Sequence, residues 1–324
     1  MASRRRAEIP PAARRAAIPL TPGHGAAHSG SRLTVLLPFV LVSFAANSLI
    51  TRHVVGSHLL DAGLLSAVRF IAGAVALGGL ALARRERPVV GRANLRPALW
   101  LGTYAACISY GYGYIGAAPG TFVFYATVLV TLMTYDLVTR STVEPRRVLG
   151  SAVSLVGIAV LAEGSVGTVT PLGVILLAAT GAAWGLYTAA GRTAGDPRVA
   201  TTGHFIVLAA VVTAPAAAGM AAGLRVTAAG LGWAVAMGAG TTAFAYVAWY
   251  ACQRSMSGTA AGSAQLVIPV LTTAGAVLLL DEQLSLGLLV ASALVGAGMW
   301  LGRPRDTSPR TTGPARPGPP NPAP

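Results

Sequence analysis

The chain has 324 residues, of which 54% are hydrophobic and only 10% charged, whereas a soluble domain carries about 25% charged residues. That composition, with a mean hydropathy of +0.63, excludes a water-soluble globule of this size and points to an integral membrane protein. The formal net charge is +14. The basic residues lie between apolar runs and at the termini rather than on a basic helix, which argues against a nucleic-acid partner.

Residues 1–32 are rich in arginine and proline. No apolar core follows their charges, so they read as a disordered cytoplasmic tail rather than a signal peptide. Ten apolar runs follow, at roughly 33–51, 62–83, 97–117, 119–138, 147–163, 171–191, 201–222, 229–251, 258–280 and 285–302. Each approaches the length of about 20 residues that a spanning helix needs. None alternates polar and apolar residues, so a closed barrel, the other way to cross a bilayer, is excluded. Residues 303–324, rich in Pro, Gly and Arg, read as a second disordered tail. The predicted fold is an all-α polytopic membrane protein with ten transmembrane helices. Cys107 and Cys252 lie in or at the end of apolar runs, without a CxxC pair or disulfide framework, and read as packing residues.

The arginines set the orientation. With the N-terminus inside, the inner segments hold 21 of the 24 basic residues, all of them arginine. The outer loops hold only Arg52 and Arg225, and Arg69 falls inside a span. The positive-inside rule then places both termini in the cytoplasm, with the chain multi-pass in the cytoplasmic (inner) membrane.

The chain also repeats itself. "AANSLIT" (45–51) aligns with "AAWGLYT" (182–188), "RFI" (69–71) with "HFI" (204–206), "GTYA" (102–105) with "GTTA" (240–243) and "LVG" (155–157) with "LVG" (294–296). The offset drifts only from 135 to 139 residues. Residues 33–168 and 169–302 are therefore expected to be two five-helix repeats. An odd number of spans per repeat inverts the second relative to the first. Inverted repeats set a binding site near the midplane and allow alternating access.

Trp184-Gly185 in the first helix of the second half, Arg69-Phe70 in the second helix of the first, Pro269, and the acidic turn "DEQLS" (281–285) complete the pattern. With two five-helix repeats, short outer loops and basic inner loops, the chain resembles the EamA-type branch of the drug/metabolite transporter superfamily. In the first half Asn47-Ser48 stand in place of Trp-Gly, and Val130 or Thr131 in place of the proline. The resemblance implies a secondary transporter of small metabolites such as amino acids or amphiphilic compounds, with export the expected direction. It implies no ATP hydrolysis and no cofactor.

Arg69 lies about 10 Å into its span, at 1.5 Å per residue. Two readings stand: a snorkelling side chain, or a cavity-facing cation that holds a carboxylate or carbonyl of the solute. His204 occupies the matching position in the other repeat. Asn47 and Gln265 are amides inside spans, able to glue helices or line a cavity. Tyr125, Trp184, Tyr187 and Tyr246 lie deep enough to form an aromatic wall. Tyr110, Tyr112 and Tyr114 read as an interfacial belt. The carboxylates Asp136, Glu163, Asp281 and Glu282 lie at span ends, with Asp61 and Glu144 in or beside loops, and read as solvent-wetted. Proton coupling would fall to His204 or to an acid such as Asp136, with a counter-solute as the other option. The alternative to a transporter is an integral membrane enzyme or a channel. No HExxH, Walker loop or G-x-S-x-G stands in the chain to favour an enzyme.

Overall fold

In lipid each backbone polar group must bond within its own segment, so an apolar run free of alternation winds into a helix. The computed structural model describes residues 25–88, 90–112, 114–115, 117–140, 144–163, 169–279 and 286–302. All ten predicted runs are helical in it: α1 (Gly25–Gly56), α2 (Ala62–Ala83), α3 (Arg92–Gly111), α4 (Ala117–Arg140), α5 (Pro145–Glu163), α6 (Pro171–Gly191), α7 (Pro197–Ala221), α8 (Ala228–Gln253), α9 (Gly258–Leu279) and α10 (Leu286–Leu301). Several boundaries differ from expectation: α1 is already helical at Gly25, within the stretch read as a disordered tail, and runs on to Gly56, while α3 spans Arg92–Gly111 where 97–117 was expected.

Among the described residues, seven of the helices are long and apolar enough to cross a membrane. The exceptions are α3, α5 and α10. Arg92 and Arg96 open α3, and Arg146 and Arg147 open α5, which shortens their uncharged stretches. The third, α10, has only 16 residues.

Local chemistry fixes the helix starts. Asp61 caps α2 by accepting from the N–H groups of Gly63 and Leu64. Thr170 caps α6, Asp196 caps α7, Thr227 caps α8 and Ser257 caps α9 in the same manner. Each satisfies donors that the first helical turn leaves free. Two helices are irregular. A π-helical segment, Met237–Phe244, interrupts α8. Helix α9 breaks between Gln265 and Ile268, because the ring of Pro269 lacks an N–H and crowds the carbonyl four residues back.

The main helix contacts pair α5 with α10, α2 with α7, and α4 with α9. Helix α6 packs on α3 and α4, α1 on α8 and α9, and α2 and α3 reach α8 and α7 respectively. Small residues permit the closest crossings: a Cβ at Gly150 would run into the backbone of Gly298, and the reverse holds as well. Large apolar side chains such as Val35, Val138, Ile175 and Leu278 face outward, as a lipid-contacting surface requires. Inside, aromatic and polar groups lie among buried Leu, Val, Ile and Ala side chains.

Candidate functional site

Aromatic rings from several helices meet at the centre. Phe44 of α1 stands edge-on to Trp184 of α6 and to Tyr246 and Trp249 of α8, at 5.5, 5.6 and 5.8 Å between centroids. Tyr104 of α3 lies 5.0 Å from Trp184. Tyr187 lies 4.9 Å from Tyr250 with the rings tilted by 42°, and both contact His204 of α7, at 5.7 and 5.6 Å. Phe70 and Phe205, from the matched "RFI" and "HFI" segments, meet at 5.4 Å. Such edge-to-face pairs add about 0.5–1.5 kcal/mol each beyond the area they bury.

The amides inside the spans are engaged. The Trp184 indole N–H donates to Gln265 Oε1 at 2.6 Å, and the Gln265 amide donates to the Ala261 carbonyl at 3.2 Å. Asn47 donates to the Thr241 carbonyl at 3.3 Å and accepts from the hydroxyls of Thr241 and Thr242, which pins α1 to the π-helical segment of α8. Tyr125 sits at the edge of the group, packed on Phe124 at 4.5 Å.

Arg69 is different. It is 6% exposed, its Nε and Nη2 are buried without a partner, and its guanidinium lies over the Phe70 ring at 4.6 Å. A snorkelling side chain would carry its head into water, and this one does not. Buried polar atoms are also unpartnered at Tyr187 Oη, Thr201 Oγ1 and His204 Nδ1. Each such group costs about 1–3 kcal/mol unless a water or solute meets it. The structure thus brings five of the eight predicted site residues into direct contact, Trp184, Tyr187, His204, Tyr246 and Gln265. Arg69 reaches them through Phe70 and Phe205, Tyr125 through Phe124 and Tyr104, and Asn47 is held apart on Thr241 and Thr242.

One expectation is overturned. Asp136, read as a wetted helix end, is 2% exposed and ion-paired to Arg192 Nη1 at 2.6 Å. It also accepts from the N–H and hydroxyl of Thr259, at 2.7 and 2.9 Å, and from the N–H of Gly258 at 3.1 Å. The approach depends on Gly258, where a Cβ would meet the Leu132 carbonyl at 2.9 Å. Asp281 and Glu282 lie outside the described residues. Tyr110, Tyr112 and Tyr114 are exposed, as a belt would be. Phe44, Tyr104, Trp249 and Tyr250 were missed as members of the aromatic centre, although Tyr246, Trp249, Tyr250 and Gln253 follow the spacing of one helix face.

The fold and its centre define a class: a multi-pass helical membrane protein, apolar outside, with polar and aromatic groups gathered inside. The model of the EamA-like transporter family matches residues 171–302. The uncharacterized protein PA1977 of Pseudomonas aeruginosa is 32% identical over 270 residues, which cover 83% of this chain and 94% of that one. A crystal structure of a protein that is 20% identical shares the fold at a TM-score of 0.70, over 84% of this chain and 97% of its own. The chain belongs to the EamA-like transporter family, a family of membrane transporters consistent with the drug/metabolite transporter superfamily. Membership implies a small-molecule substrate and a lipid bilayer as surroundings.

Proposed function

We propose that the protein is a secondary transporter that exports small anionic or amphiphilic metabolites, amino acids among them, across the cytoplasmic membrane by alternating access. All ten helices span, as two inverted repeats over 33–168 and 169–302. Both termini are cytoplasmic, in keeping with the arginine distribution. Two further observations support the repeat. The family match covers α6 to α10, one five-helix unit. The main helix pairings map onto themselves when each helix is exchanged for the one five places on: α3–α6 becomes α8–α1, α4–α6 becomes α9–α1, and α2–α8 becomes α7–α3.

The observation that carries the functional reading is Arg69, a buried guanidinium with two unpartnered nitrogens beside an aromatic centre drawn from both halves. A cation in that setting calls for a partner, and a solute carboxylate or carbonyl supplies one. Asn47 and Gln265 hold the walls in place. Trp184, Tyr187, Tyr246 and Tyr125 give apolar ring surface, and His204 serves from the opposite repeat.

The test begins with an untargeted comparison of solutes released by cells with and without the protein. For the solute found, Arg69→Lys should lower transport at normal surface expression, because an ammonium cannot reproduce the planar fork. Full transport by both Arg69→Lys and Arg69→Gln would remove Arg69 from the path.

A further inference from the structure

The cluster around Asp136 has the construction of an oxyanion site with a carboxylate already in it. Four donors converge on that carboxylate: Arg192 Nη1 at 2.6 Å, the Thr259 N–H at 2.7 Å, the Thr259 hydroxyl at 2.9 Å and the Gly258 N–H at 3.1 Å. The two amides belong to the first turn of α9, the electropositive end of that helix. Arg192 is only 4% exposed at its side chain, yet it uses one arm; its Nε and Nη2 are buried and unpartnered. A guanidinium suited to a two-pronged grip holds its carboxylate by one prong.

The ownership of these groups is asymmetric. Every donor lies in the second half of the chain, and only the acceptor, Asp136, lies in the first. The neighbouring charges are otherwise occupied: Arg147 of α5 donates to Ser257 at 3.3 Å and pairs with the exposed Glu144 at 3.3 Å. The Tyr135 ring lies under Arg192 at 5.6 Å. A free carboxylate could therefore satisfy the same four donors and release the polar tie that holds the end of α4 to α6 and α9.

We propose that this cradle is a second carboxylate-binding station, filled by Asp136 when no solute is present. A solute carboxylate arriving from the side of the arginine-rich loops displaces Asp136 and so releases that end of the bundle. This rests on the transport reading above, but its test involves neither Arg69 nor a transport rate.

Asp136→Ala empties the cradle. Its melting temperature should rise when sodium acetate is added, while chloride or phosphate at matched ionic strength does nothing and the wild type shows no comparable rise. The opening is read at Cys252 of α8, which is buried near the same end, in a protein carrying Cys107→Ser. Labelling by a charged maleimide should be slow, and faster by about tenfold or more in Asp136→Asn, which keeps the side-chain volume but loses the ion pair. No acetate response in Asp136→Ala, or an equal response to phosphate, overturns the carboxylate station. Unchanged labelling in a folded Asp136→Asn overturns the release. If Asp136→Ala does not fold, acetate-accelerated labelling of Asp136→Asn replaces the melting measurement, and its absence counts the same way.

Discussion

Arg69 and Arg192 are both buried guanidiniums among apolar helices, and they are built in opposite ways. Arg192 follows the last turn of α6 and meets a carboxylate at 2.6 Å. Arg69 lies within α2 and meets the face of Phe70 at 4.6 Å. A charge taken out of water keeps only the compensation that the protein returns to it. Where the protein returns a carboxylate of its own, the arginine is neutralised at rest and ties helices together. Where it returns ring faces, the guanidinium keeps its hydrogen-bonding capacity for something that comes and goes.

Stability breaks the comparison most sharply. Asp136→Ala strands Arg192 in the interior and should cost about 3–5 kcal/mol, seen as a large fall in melting temperature in detergent. Arg69→Met removes a charge that has no counter-ion. It should leave the melting temperature unchanged or higher, with transport lost. A fall as large as that of Asp136→Ala would mean that Arg69 carries stability as the Asp136–Arg192 pair does. A smaller effect is expected at Trp184→Phe, which deprives Gln265 Oε1 of its donor at 2.6 Å. A loss of about 1 kcal/mol is expected, and a loss near zero would mean that water replaces the indole.

The smallest effect falls at Asp196, the cap of α7 and a wholly local carboxylate. Burial alone would raise its pKa. The N–H groups of Arg198 and Val199 and the Arg198 guanidinium outweigh that and hold it below the usual carboxylate range. Asp196→Ala should cost about 1 kcal/mol or less, as caps do, and its half-exposed ion pair adds little. Because the folded pKa is depressed, the contribution is complete above about pH 4 and fades as the pH falls through the lower folded value. The melting-temperature gap between wild type and Asp196→Ala should therefore close on acidification below about pH 4. A gap independent of pH would assign the cap to shape rather than charge.

Much of the fold was legible in the chain because it is decided locally. The predicted 62–83 and 171–191 coincide with α2 and α6, since Asp61 and Thr170-Pro171 mark those starts within a few residues. The start of α1 was missed because hydropathy marks where a run becomes apolar, not where the backbone begins to coil. Arg69, Trp184 and Gln265 stood out as polar or amphipathic groups in apolar runs. Asp136 and Arg192 did not, since each lies where an apolar run ends and water is the ordinary neighbour. Their pairing spans 56 residues and depends on which helix ends pack side by side, which no local pattern encodes.

The π-helical segment Met237–Phe244 of α8 works like a spacer in a written frame. At 3.6 residues per turn, each residue added or dropped turns everything beyond it by about 100°. Tyr246, Trp249 and Tyr250 all lie beyond the segment. Dropping one residue there would swing their rings away from Phe44 and Trp184 toward the acyl chains, with every side chain still present. Among relatives, a length change in this stretch moves the aromatic wall as surely as replacing it, so their rings have to be matched by angle about the helix axis rather than by residue count.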